Sequence, residues 1–353
     1  MTPDNGRLAM KPHHLSANNF RHFYQGGPSI AAFRGQNDAG SDSCPEDWIG
    51  STTTRFGDDR FGLSTLPDGR VLRDAIQADG ASWLGADHVQ RFGNDPGILV
   101  KLLDAQQRLI VHTHPNREFA RQHLGCTHGK TEAWLILSTS GAEANVYVGF
   151  KEDVSADLLA KWVGDQQTVE MLSALNQIAV KPGDVILVPA GVPHAVGAGI
   201  FIAEIQEPTD FSLTLEWAGF DLDGPTVGHL GLGFELALTS VDRSAWPPAR
   251  LACLFGPPDD GSSLQDVLPV PAYPFFRVER ARDGASMGAS FAVVIVTDGW
   301  GWLSTSEETT PIKRGDTLVV PYGAGPTAVT GAVTLLRFVP PAAFSADIPA
   351  PAV

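Results

Sequence analysis

A fifteen-residue stretch recurs once in this chain, and it constrains the fold more than any other feature. Residues 180–194 read VKPGDVILVPAGVPH and residues 312–326 read IKRGDTLVVPYGAGP, at a constant offset of 132. Gly183, Asp184, Pro189 and Gly191 of the first copy stand opposite Gly315, Asp316, Pro321 and Gly323 of the second. A Gly-Asp turn, a short aliphatic run and a second turn is a strand signature. Its recurrence without a gap implies one structural unit used twice in 353 residues. The copies end differently. His194 closes the first and Pro326 the second, and proline cannot ligate a metal.

The rest of the chain fits a mainly β protein. Its 37 glycines and 26 prolines are spread throughout, as short strands joined by turns require. Strand-like runs occur at 98–103, 109–115, 132–138, 144–148, 177–180, 185–188 and 201–206, and again at 275–280, 291–296, 317–320 and 334–338. Residues 1–65 read as loops and edge strands. Two short helices are expected between Leu66 and Gly97, and a helical insertion between Asp153 and Asn176, with Ser155 as its cap. The Pro-rich stretch Ser244–Gly261 marks a passage between units. The expected division is a metal-binding catalytic unit over 1–240 and a second unit over 241–353 without metal ligands.

Charge and cysteine usage narrow the function. A net charge of −15 leaves no basic stripe to neutralise a nucleic acid, although a few local cations suffice for one small anion. Cys44, Cys126 and Cys253 are widely spaced and form no C-x-x-C pair, which points to a reducing compartment. No apolar run has the length of a signal peptide core or a membrane span. The expectation is a cytoplasmic enzyme without nucleic-acid or membrane partners; the oligomeric state is not legible.

Chemistry concentrates in four residues. His112 and His114 flank one residue of a strand-like run, and alternation turns both imidazoles to one face. Glu132 opens the next apolar run, and His194 closes the first copy of the repeat. Three histidines and one carboxylate suit Zn2+, Mn2+, Co2+ or Fe2+. His13, His14, His22, His88, His123, His128 and His229 have no comparable pairing and read as ordinary polar residues, with His123 and His128 near enough to Glu132 to line the mouth of a site.

These segments resemble the class I mannose-6-phosphate isomerase family of the cupin superfamily. The likeness rests on Pro45-Glu46-Asp47-Trp48, Lys101 to Ala105, His114-Pro115, Gly129-Lys130-Thr131-Glu132-Ala133-Trp134, Pro189 to Ala195 and Glu204-Ile205-Gln206. It implies two jelly-roll β-barrels of the cupin type with a helical insertion, and a divalent cation, zinc above all. His114, Glu132 and His194 then stand at the family's zinc ligands, with His112 where the family has glutamine. Lys101, Lys130 and Glu204 stand at active-site positions and are the acid–base candidates. The implied reaction interconverts an aldose and a ketose, such as mannose 6-phosphate and fructose 6-phosphate, through an enediolate.

One departure bears on the substrate. The family carries a catalytic arginine ten residues after the glutamate of the E-I-Q segment, where this chain has Thr214. No Arg or Lys occurs between Glu207 and Arg243. Either another basic residue takes over, or the substrate is a non-phosphorylated or modified sugar. An iron-dependent cupin oxygenase and a non-catalytic sugar-binding regulator are the remaining alternatives.

Overall fold

The structure is a computed structural model that describes residues 10–36, 44–141 and 144–341. Three antiparallel sheets organise it, so the mainly β expectation holds. The parts of the expected loop region at 1–9 and 37–43, and the end of the second unit at 342–353, lie outside the described residues.

Two sheets build the N-terminal half. One runs, in spatial order, Asn19–Phe20, Glu46–Ile49, Leu99–Ala105, Ile200–Gln206, Glu132–Thr139 and Val185–Val188. The other runs Leu213–Thr214, His112–Thr113, His194–Val196, Asn145–Phe150 and Leu175–Ala179. Aliphatic residues from both, among them Val100, Leu135, Val146 and Ile202, share one buried cluster. The nine-stranded third sheet carries the C-terminal half around the long strand Ala292–Ser304. Its outer member comes from the other end of the chain: His13–His14 pairs antiparallel with Thr317–Val320.

Both copies of the repeat fold alike. The Asp184 carboxylate accepts the Lys181 N–H at 2.9 Å, and the Asp316 carboxylate accepts the Lys313 N–H at the same distance. Gly183 donates to the Ile136 carbonyl and Gly315 to the Val296 carbonyl, each at 2.9 Å. Both glycines sit at φ near +90°, a region where a Cβ would be strained. The turn then launches Val185–Val188 in one copy and Thr317–Val320 in the other.

Expected elements and observed ones differ in places. Three short helices, Leu72–Ala78, Gly80–Leu84 and Ala86–Phe92, occupy the segment expected to hold two, because Asp79 caps the second through the Ser82 N–H. The insertion is two helices, Ala156–Gly164 and Thr168–Ala174, and Ser155 accepts from the Leu158 N–H at 3.2 Å. Leu158 and Val169 of its apolar pattern face solvent, while Leu159, Val163 and Met171 pack inward. The run at 109–115 shortens to the strand His112–Thr113. Helices Gly224–Val227 and Phe234–Ala237 were not legible in the sequence, since four residues carry too little periodicity.

Candidate active site

The site lies between the two N-terminal sheets. His112 and His194 face each other directly across neighbouring strands, and His114 follows His112 by two residues on the same face. Glu132 reaches them from the other sheet. Its Oε2 lies 3.0 Å from His114 Nε2 and its Oε1 lies 3.4 Å from His194 Nε2. The four residues named from spacing are therefore brought together.

Hydrogen bonding fixes which face each imidazole presents. Nδ1 of His112 contacts the Ile110 carbonyl at 2.9 Å, that of His114 the Phe211 carbonyl at 2.7 Å and that of His194 the Val192 carbonyl at 2.8 Å. A carbonyl only accepts, so each Nδ1 carries the proton and each Nε2 carries a lone pair. Nε2 of His112 and Nε2 of His194 are 3.1 Å apart, and Nε2 of His114 is buried without a hydrogen-bond partner. Lone pairs held this close repel unless a cation lies among them. Burial acts in the same direction. It lowers the pKa of His112 to about 4, with Lys130 adding to the effect, and holds His114 and His194 well below the usual histidine range. All three imidazoles are neutral at pH 7, the form that ligates. The ligand atoms of the triad lie within 4.8 Å of one another, so the residues fit a divalent cation.

Glu132 is oriented in turn by the Trp134 indole, which donates to Oε1 at 2.9 Å. The segment ahead of it is pinned by Glu207, whose carboxylate accepts the Thr131 N–H at 3.0 Å and pairs with Arg117. A Cβ on Gly129 would come within 2.7 Å of the Pro115 carbonyl oxygen, which explains glycine there. Lys130 precedes the strand, and its Nζ is 3.7 Å from Glu132 Oε2.

A row of polar residues crosses the six-stranded sheet beside the triad. Trp48 stands opposite Lys101, Lys101 opposite Glu204, and Glu204 opposite Trp134. Glu46 and Glu132 lie two residues before the tryptophans, so they share that face. Lys101 Nζ is 3.2 Å from Glu46 and 3.9 Å from Glu204. Glu46 also accepts from Tyr24 at 2.6 Å and from Trp48 at 2.7 Å. Burial works against the charge of Lys101, but Glu46 and Glu204 outweigh it and raise the lysine's pKa. Lys101 is therefore held as a cation between two carboxylates. Burial likewise opposes ionisation of Glu46, yet Lys101, His22 and the two hydrogen bonds hold its carboxyl well below the usual range. Glu204 goes the other way. Burial, then the Glu132 carboxylate, push it up to about 8 despite Lys101 and Lys130.

Glu46, Lys101, Glu204 and Trp134 of this row form the floor of a cavity of about 520 Å³, lined also by His112, Glu132, Lys130 and Thr214. That volume accommodates a monosaccharide phosphate. His22 belongs to this cavity, 3.7 Å from Glu46, although its sequence context reads as ordinary. Tyr24, Glu46, Arg21 and Arg55 were missed as lining residues; the Pro45-Glu46-Asp47-Trp48 motif was the available signal for Glu46. His123 packs at a tilt against Phe119, and His128 pairs with Asp95 in a separate cavity, so neither lines the site.

No family model matches the sequence. The mannose-6-phosphate isomerase of Streptococcus mutans is 30% identical over 251 residues, 67% of this chain and 73% of that protein. The crystal structure of the mannose 6-phosphate isomerase from Bacillus subtilis matches with a TM-score of 0.71 at 23% identity, over 93% of this chain and 99% of that one. A mannose 6-phosphate isomerase crystallised with zinc and yttrium matches with a TM-score of 0.70 at 18% identity, covering 94% and 100%. With that identity over that coverage, and with a cation-ready triad whose His112 lines a sugar-sized cavity, this chain belongs to the class I mannose-6-phosphate isomerase family.

Proposed function

We propose that this isomerase interconverts mannose 6-phosphate and fructose 6-phosphate, with His112, His114, Glu132 and His194 holding one zinc ion. The observation that carries the reading is the convergence of three neutral Nε2 atoms beside Glu132, with His112 and Glu132 themselves lining the cavity. When bound, the cation polarises substrate oxygens and offsets the negative charge of an enediolate. Lys101, charged and fixed between Glu46 and Glu204, donates hydrogen bonds to substrate oxygens and adds positive potential. Glu204, with a pKa of about 8, holds a proton near neutrality that it can give to a hydroxyl oxygen and take back. Lys130 faces the cavity from the Glu132 side and is the remaining candidate to move the proton between adjacent carbons.

The duplicated turn supports two cupin barrels, divided near residue 240, with the metal in the first. Neither Cys126 nor Cys253 is in a disulfide, which favours a reducing cytoplasm, and among the described residues no helix is long and apolar enough to cross a membrane.

The decisive test compares mannose 6-phosphate with free mannose, using metal-depleted and zinc-restored protein. Turnover of the phosphorylated sugar that falls at least about a thousandfold on depletion and returns with zinc supports the reading. Zinc-independent turnover would sink it. Thr214, lining the cavity where the resemblance calls for arginine, favours one second reading, an isomerase of a free sugar. Equal or better turnover of free mannose would establish that alternative.

A further inference from the structure

The cavity contains more cations than its chemistry consumes. Lys101 is taken up by Glu46 and Glu204, and Lys130 by Glu132. Two guanidiniums remain, Arg21 and Arg55, both exposed and both lining the same cavity. Arg21 makes no hydrogen bond or ion pair among the described residues. Arg55 lies 3.8 Å from Asp58, whose carboxylate already accepts the N–H groups of Arg60 and Phe61, and an exposed pair of that length contributes little.

Their placement is built from two separate segments. Arg21 follows Phe20 at the end of the outer strand of the six-stranded sheet. Arg55 lies over the Phe61 ring at 4.6 Å, and Phe61 packs edge-on against Phe20 at 4.9 Å. One aromatic pair therefore carries both arginines at the rim. The loop that bears Arg55 is anchored toward the metal triad. Phe56 N–H donates to Asp210 at 3.1 Å, and the next residue, Phe211, supplies the carbonyl that orients His114. Asp210 is thereby engaged by backbone, which leaves Asp221 as the other carboxylate at this rim.

We infer that Arg21 and Arg55 form the anion clamp of the substrate, binding the phosphate of a sugar phosphate whose reacting end lies at the triad. This deepens, and rests on, the isomerase reading above. In a chain of net charge −15, exposed guanidiniums at a cavity mouth are the feature that selects a phosphorylated over a neutral sugar. The clamp also answers the absence of arginine at Thr214: the guanidiniums enter from the N-terminal segments instead of from the strand opposite His112. Their role is recognition, distinct from the proton chemistry at the floor.

The test uses zinc-loaded wild type, R21A, R55A, the double variant and R21K, with mannose 6-phosphate and free mannose as substrates and inorganic phosphate as inhibitor. Each alanine should raise KM for the phosphorylated sugar by about tenfold to a hundredfold, the loss expected of a charge-assisted hydrogen bond, with much smaller changes in kcat. The preference for the phosphorylated sugar should fall in parallel, the inhibition constant of inorganic phosphate should rise, and R21K should recover part of the loss. A double variant with wild-type KM and wild-type phosphate inhibition overturns the inference while leaving an active isomerase in place. Equal losses on both sugars also overturn it. Wild-type protein inactive on either sugar sinks the isomerase reading, and the clamp with it.

Discussion

The two copies of the repeated turn share hydrogen bonds, glycine geometry and the strand that follows, yet lead into opposite interiors. Beyond the first copy, His194 joins two histidines and a glutamate in a buried polar cluster. Beyond the second, Pro326 precedes the strand Thr327–Thr330, whose Val329 packs in an aliphatic cluster with Ala292, Val294 and Leu335. The turn therefore sets where a strand begins, and the residue that closes it sets whether the interior does chemistry. Burying ionisable groups costs stability that apolar packing would otherwise contribute, at about 1.5–3 kcal/mol per large side chain. The C-terminal half supplies packing that the N-terminal site gives up.

The sharpest way to break this comparison is H194A, which makes the first copy end as inertly as the second. It should lower metal content to background in elemental analysis and activity by at least about a thousandfold. Retained metal would mean that His194 is dispensable to the site. K130M should leave metal content intact and reduce turnover by about 10²- to 10⁴-fold, the range for loss of an acid–base group; unchanged turnover removes Lys130 from the mechanism.

The polar interior should also show in pH dependence. In metal-free protein, Glu204 has its pKa raised from 4.5 to about 8, so the folded state retains a proton that the unfolded state releases. Its ionisation penalty is absent below 4.5 and grows as pH rises toward 8. The melting temperature of metal-free E204Q should accordingly gain on wild type between pH 5 and 8. A difference that stays constant with pH would contradict the assigned charge state. Smaller effects test the shared turn. G183A should lose about 1–2 kcal/mol in chemical denaturation because it places a Cβ at positive φ, and G315A should lose more, because its Cβ would also clash with the Phe33 carbonyl oxygen where Gly183 has open space; equal losses would contradict this. Least of all, P326H should bind no additional metal, since His112, His114 and His194 form the only cluster of potential metal ligands among the described residues; a gain of one equivalent would show a latent site.

How much of this was legible depended on the range of each interaction. The metal cluster could be read because period-two alternation turns His112 and His114 to one face, and because the repeat isolates His194. Lys101 and Glu204 entered only through family likeness, since their contact arises from the register of strands far apart in the chain. Tyr24 and His22 had no local signature at all, and the motif that contains Glu46 gave it no role. Glu46 becomes a site residue by meeting Lys101 across neighbouring strands, and no spacing rule reports such a meeting. The charge state of Lys101 was not legible for the same reason, because its two carboxylate partners lie on separate strands.

The pairing of His13–His14 with Thr317–Val320 ties the beginning of the polypeptide to its final third. Synthesis runs from the N-terminus, so His13–His14 waits about three hundred residues for its partner strand, and the C-terminal sheet is closed at a margin that its own sequence cannot close. Excising residues 241–353 as a fragment would leave the same margin bare, offering its unpaired backbone to any neighbouring chain.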